Sequence, residues 1–157
     1  MVHFMRLNHI INKIKSINSN IKFIGEFDEN NQKTGYWETY FSNGNIHRRG
    51  CYINGKHEGY WEYYHENANL GWKGYYLNGK TDGYWEFYHT NGNISSKGGF
   101  KNGEEDGYWE WYYPNGKIWE KGNYINGKED GYWEEYWDSG NLISKGNFLN
   151  GEFYEIK

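Results

Sequence analysis

The sequence predicts an all-β protein, an elongated antiparallel meander of β-hairpins built from five 24-residue units. Three observations predict it. The string Gly-Tyr-Trp-Glu begins at Gly35, Gly59, Gly83, Gly107 and Gly131, a spacing of 24 residues every time, and a fixed period of this length marks a repeat architecture. Asn-Gly, the strongest short hairpin signal because a type I′ turn needs positive φ at both central residues, recurs through the units, as at Asn43-Gly44 and Asn54-Gly55. Between these turns the chain is rich in Tyr, Trp, Phe and Ile, which favour strands, and Gly falls too often for helix.

Taken in order, each unit reads as two short strands. If Asn43-Gly44 is a two-residue loop, Glu38 faces Arg49. The same register pairs Glu62 with Lys73, Glu86 with Lys97, Glu110 with Lys121 and Glu134 with Lys145, five opposite-charge pairs from one assumption. It also sets Trp37 across from Gly50, and Trp61, Trp85, Trp109 and Trp133 across from Gly74, Gly98, Gly122 and Gly146. A ring covering a facing glycine is the aromatic-rescue arrangement of sheets. Strand alternation puts Tyr36, Glu38, Tyr40 and Arg49 on one face, the glutamate face. Trp37, Thr39, Phe41, Ile46 and Gly50 fall on the other, the tryptophan face. Ten strands at roughly 4.8 Å spacing span about 50 Å. Stability is then close to a sum of nearest-neighbour terms.

Composition agrees. The chain has 157 residues, 22% of them aromatic, with 22 Gly and one Pro. A disordered chain lacks aromatics, so a low apolar share here signals a core of Trp and Tyr. No stretch approaches the 18 apolar residues of a membrane span. The single cysteine, Cys51, makes no internal disulfide, which argues against a disulfide-stapled secreted domain and for the cytoplasm. The formal net charge of −4 offers no general attraction to nucleic acid.

The unit Lys121-Gly122-Asn123-Tyr124-Ile125-Asn126-Gly127-Lys128-Glu129-Asp130-Gly131-Tyr132-Trp133 resembles a MORN repeat. It is most similar to the bacterial-type variant of YwqK-like proteins, which carry an antitoxin label. The resemblance covers residues 25 to 153. The period of 24 against the usual 23, and Trp after Gly-Tyr, depart from the common pattern and favour the variant group. The resemblance implies a hairpin-repeat fold and a non-enzymatic binding or scaffolding role. The implied partner is another protein, with a cognate toxin if the antitoxin label applies and phospholipid membrane as the alternative.

The ends differ from the repeats, which divides the chain into residues 1–24 and a repeat domain over 25–157. Residues 1–25 hold four basic and no acidic residues. Phe4, Leu7, Ile11 and Ile14 recur at helical spacing, so a short amphipathic helix is expected over 3–17. Two roles fit it: a cap over the open sheet edge and a membrane-surface helix. Phe148 to Ile156 reads as the closing edge strand.

Chemistry is sparse. Five equivalent Glu residues with cationic partners look structural, where a catalytic pair would break the symmetry. His65 and His89 share a repeat position but lack a third ligand, and read as exposed loop residues. There is no P-loop, dinucleotide glycine motif or nucleophile elbow, and neither a metal nor a cofactor is expected. Positions that vary between units are free to serve a ligand. Thr39, Tyr63, Phe87, Trp111 and Glu135 form one such series, and Phe41, His65, His89, Tyr113 and Trp137 a second, both on the tryptophan face. His47, Gly71, Ser95, Trp119 and Ile143 form a third, assigned to the glutamate face. The expected protein-binding patch is Trp111, Tyr113, Trp119, Trp137, Tyr63 and Phe87, since Tyr and Trp are the usual interface anchors. Packing against the next hairpin competes with that role.

Overall fold

A computed structural model of the protein describes residues 22–149 and 151–156. The helix expected over 3–17 lies outside them. The strands are β1 (Lys22–Phe27), β2 (Lys33–Tyr40), β3 (Ile46–Ile53), β4 (Lys56–Tyr64), β5 (Leu70–Leu77), β6 (Lys80–Tyr88) and β7 (Ile94–Lys101). They continue as β8 (Glu104–Glu105), β9 (Gly107–Tyr112), β10 (Ile118–Ile125), β11 (Lys128–Tyr136), β12 (Leu142–Leu149) and β13 (Glu152–Glu155). All belong to one antiparallel sheet in which sequence neighbours pair, with β8 beside β7. The meander is therefore as expected. The strands number thirteen because a half-unit adds β1, the chain end adds β13, and a break at Asp106 separates β8 from β9. The stretch expected to be one closing strand is the end of β12, a turn, and β13.

All five expected registers are present, from Glu38↔Arg49 and Trp37↔Gly50 to Glu134↔Lys145 and Trp133↔Gly146. The loop that sets them is different from the one assumed. Phe41 N–H donates to Asn45 O at 2.8 Å and Gly44 N–H to Phe41 O at 3.0 Å, so Ser42, Asn43 and Gly44 make a three-residue loop with Gly44 at φ +90°. Tyr40 then pairs with Ile46, and a one-residue bulge at His47 restores Thr39↔Arg48. Longer loop and bulge cancel. The bulge has a consequence: Ile46 joins Tyr40 on the glutamate face, and the His47 series moves to the tryptophan face, the reverse of the sequence assignment. His47 accordingly meets Phe41 and Tyr63. The second turn is the expected two-residue one, with Asn54 at φ +50° and Gly55 at +75°.

A second bulge builds the core. Across from Gly50 the partner strand spends three residues, Gly59, Tyr60 and Trp61, where one would pair. Gly59, at φ +70°, takes the left-handed conformation this needs. The indole of Trp61 is thereby laid on Gly50, where a Cβ would sit 2.3 Å from Trp61 Cδ2. Trp37, Trp85, Trp109 and Trp133 cover Gly25, Gly74, Gly98 and Gly122 in the same way. Each ring thus covers the glycine of the preceding strand, and not its register partner on the following strand, as expected from sequence. These tryptophans are the buried core, with Trp61 at 1% exposure. Their indole N–H groups are mostly satisfied by the backbone: Trp61, Trp85 and Trp109 donate to the carbonyls of Cys51, Tyr75 and Gly99 at 2.9 to 3.1 Å. Trp133 Nε1 is buried with no partner among the described residues.

Successive hairpins are also clipped at both edges. Asn67 and Asn69 donate to Thr90 O, and Asn91 and Asn93 to Pro114 O, at 2.8 to 2.9 Å. At the opposite edge Gly79 N–H donates to His57 O and Gly103 N–H to Thr81 O, both at 2.9 Å.

Two stability predictions result. Gly74→Ala forces a methyl into the Trp85 ring and lowers stability by about 1–3 kcal/mol, read as a lower denaturant midpoint, whereas Asn123→Ala on the exposed face leaves it nearly unchanged. Ala68 holds φ +68° where the other units carry Gly44, Gly92, Gly116 and Gly140. Ala68→Gly relieves that strain, and thermal unfolding should show a gain of about 0.5–1 kcal/mol.

Candidate functional site

The two faces of the sheet differ chemically. On the glutamate face the register places each cation between two carboxylates, and the right-handed twist makes those neighbours inequivalent. The ion pairs form with the following strand: Arg49 with Glu62, Lys73 with Glu86 at 2.5 Å, Lys97 with Glu110 at 2.8 Å and Lys121 with Glu134 at 2.7 Å. They do not form with the preceding glutamate that the expected pairing named. Each carboxylate also accepts from tyrosine: Tyr88 to Glu86 at 2.9 Å, Tyr112 to Glu110 at 2.6 Å, Tyr132 and Tyr136 to Glu134 at 2.9 and 2.7 Å. The cations lie over Tyr64, Tyr88, Tyr112 and Tyr136.

These bonds set the titration. The Lys121 and Tyr136 hydrogen bonds bring the Glu134 carboxyl from its ordinary 4.5 down to about 2. Burial pushes Glu86 and Glu110 up, but hydrogen bonds from Lys73 and Tyr88, and from Lys97 and Tyr112, overcome it and both are lowered. Four carboxylates at equivalent positions, Glu62, Glu86, Glu110 and Glu134, each holding a cation, suit a scaffold.

What this face leaves exposed is aromatic and aliphatic. Tyr36, Tyr60, Tyr84, Tyr108 and Tyr132 form a column, 43–56% exposed, at one per unit, about 10 Å apart for every second strand. Ile53, Leu77, Ile125 and Leu149 form another and are also exposed. Tyr36 and Tyr132 spend their hydroxyls on Glu38 and Glu134, so the column offers ring surface to a partner. Sequence reasoning passed over this column because it repeats in every unit.

The tryptophan face holds most of the patch expected from sequence, and much of it is packed. Tyr63 stacks on Trp72 at 5.6 Å. Phe87 lies between Trp85 and Trp109 at 5.9 and 6.2 Å, and Trp111 between Trp109 and Trp133 at 5.5 and 5.7 Å. Tyr113 donates its hydroxyl to Tyr136 O at 2.9 Å. His65 and His89, at the same repeat position, meet Tyr88 O and Tyr112 O at 3.0 and 2.9 Å through Nε2. A carbonyl only accepts, so Nε2 carries the proton. This series is a partly buried clip between hairpins, a correction to its reading as exposed histidines. Trp119 and Trp137 remain open, 41% and 57% exposed, and Trp119 lies 6.3 Å from Tyr113. The six residues thus divide into a packed ladder and an open pair near the three-residue turns. Among the described residues no group of His, Cys, Asp and Glu side chains is placed to hold a metal ion.

With this geometry in place, the matching family model can be read against it. The MORN repeat variant model matches residues 33–54, 81–102, 105–126 and 129–150, more than half of the chain. The chain belongs to the MORN repeat variant family. The stretch 57–78 between these MORN units folds the same way, as β4 and β5. Among curated proteins none matches the chain. Among solved structures the chain is similar to a glycosylation-associated protein (Gap123) complex from Streptococcus agalactiae, at 15% identity and a TM-score of 0.33, covering 77% of this chain and 20% of that one. The chain spans about a fifth of the length of that one.

The glutamate-face ladder makes a pH prediction. A carboxyl depressed in the folded state stabilises it above the ordinary value, and that contribution is lost as pH falls through the folded one. Denaturant midpoints should fall between pH 4.5 and about 2 as Glu134 protonates, and Glu134→Gln should flatten the profile in that window.

Proposed function

We infer that this chain is a binding module that docks another protein on its glutamate face. The observation that carries it is the column of half-exposed tyrosines, one per unit, on a rigid sheet whose charges are already paired. Large exposed rings on a pre-ordered surface bind with little entropic loss, and Tyr is enriched in interface cores. The paired Lys and Glu give up little new Coulomb energy to a partner, so affinity rests on ring burial. Trp119 and Trp137, on the opposite face near the turns of the C-terminal units, offer a smaller open surface. The finer form of this reading, in which the partner is a toxin neutralised by the module, is supported by the family resemblance.

Affinity capture from a cell lysate, with bound proteins identified by mass spectrometry, tests it. Tyr84→Ala with Tyr108→Ala should cut recovery of the specific partner by at least about tenfold, as expected for two anchor residues. Trp119→Ala with Trp137→Ala should cut it by less. Recovery unchanged in both double variants, with unaltered circular dichroism, rejects the reading. Vesicles of anionic phospholipid that bind the full chain but not a form lacking residues 1–20 would favour the membrane alternative.

A further inference from the structure

The tryptophan face carries a charge gradient that the core does not require. One position per unit, facing the row Tyr52, Tyr76, Phe100 and Tyr124, reads Lys33, His57, Thr81, Glu105, Glu129 along the array. Lys33 Nζ lies 4.7 Å from the Trp37 ring, which fixes it on this face. Arg48 joins it at the basic end, and Glu120 and Glu135 join Glu129 at the acidic end. Among the described residues each end is uncompensated. Arg48 and Lys33 crowd His57, and after burial these charges press its pKa down. Burial and then Glu135 and Glu129 push Glu120 up. No carboxylate among the described residues pairs with Arg48, whose Nε is shielded from water without a hydrogen-bond partner. At the acidic end, where Glu135 replaces the ring of Tyr63, Phe87 or Trp111, a cleft of about 280 Å³ opens among Glu120, Trp133, Glu135, Ser144, Phe148 and Phe153.

The sequence Lys, His, Thr, Glu, Glu is self-complementary about its centre. We propose that two copies of this chain pack tryptophan face to tryptophan face, with their long axes antiparallel. A two-fold axis parallel to the strands through the third unit sets Lys33 over Glu129 and His57 over Glu105 of the second copy, and Thr81 over Thr81. It brings Arg48 to the cleft between Glu120 and Glu135. The aromatic middle, with Tyr63, Trp72, Phe87 and Trp111, supplies the apolar centre. An isologous interface requires this self-complementarity, and a sheet with one aromatic face ordinarily buries it against a second layer. Twelve strands lie on the main path of the sheet. At about 4.8 Å each, and roughly 20 Å across, they present a face of about 1,100 Å², above the roughly 800 Å² per partner of a standard interface. Parallel stacking would set like charges over each other, so the gradient selects the antiparallel arrangement.

Analytical ultracentrifugation of the full chain and charge-reversal variants tests this, with circular dichroism and tryptophan fluorescence confirming that each variant is folded. The wild type should dimerise at low ionic strength and dissociate progressively as salt is added. Lys33→Glu with Arg48→Glu leaves both ends acidic, and Glu120→Lys with Glu129→Lys removes the acidic complement. Each should weaken self-association by at least about tenfold. Mixing the two double variants should restore a dimer, because each supplies the charge the other lacks. Tyr84→Ala with Tyr108→Ala on the opposite face should leave the dimer intact, which separates this interface from the docking surface above. A wild type that stays monomeric over the accessible concentration range overturns the proposal. So does a dimer indifferent to either reversal, or a mixture of folded double variants that stays monomeric.

Discussion

The structure depends on a flat contact between an indole ring and a glycine. Trp61 on Gly50 stands for all five. A methyl at the glycine would sit inside the ring, so the position admits no side chain. In return the ring reaches the backbone of the neighbouring strand and, in most units, donates its N–H to the next carbonyl. This buries the largest rings within a single sheet, which among the described residues of one chain has no second layer to cover its apolar face. The tryptophan is buried by its own sheet, with Tyr52, Tyr76, Phe100 or Tyr124 packed edge-on against it. The left-handed glycine of Gly-Tyr-Trp-Glu belongs to the same device, because its bulge carries the ring over the preceding strand.

Because every such contact joins adjacent strands, the array is held by local links repeated along its length. Indole on glycine, lysine on glutamate, and the asparagine and histidine clips at the turns all reach only one hairpin away. That leaves the surfaces free to differ in purpose. The glutamate face is nearly the same in every unit and offers a regular row of rings. The tryptophan face changes from unit to unit, from Lys33 and Arg48 at one end to Glu129 and Glu135 at the other. In a repeat protein such drift, laid over a constant core, is where individual character resides.

The legibility of these features follows from their range. The hairpin register was readable because five charge pairs and five tryptophan–glycine pairs agree on it, although the assumed loop was one residue too short and the His47 bulge compensated. That same bulge put Ile46 and the His47 series on the wrong faces in the sequence reading, since one extra residue reverses alternation. The clips made by Asn67, Asn91, His65 and His89 were not legible, because each needs a carbonyl on the next hairpin. Of the residues singled out for binding, Tyr63, Phe87 and Trp111 proved to be rungs of a packed ladder. Copy-to-copy variation distinguishes freedom from the scaffold, but it does not distinguish an exposed ring from one filling a gap.

The sequence alone determined the period, the meander, the pairing of strands and the aromatic nature of the core. These follow from turn chemistry and alternation, which act over a few residues. Only the tertiary structure decided which of two neighbouring strands each side chain leans toward, so that tryptophan covers the preceding glycine and lysine takes the following glutamate. Twist and bulges make those neighbours inequivalent, and neither is visible until the strands lie side by side. The same is true of the charge gradient. Its residues are 24 apart in the chain, and only the stacking of units gathers them onto one face with a basic and an acidic end.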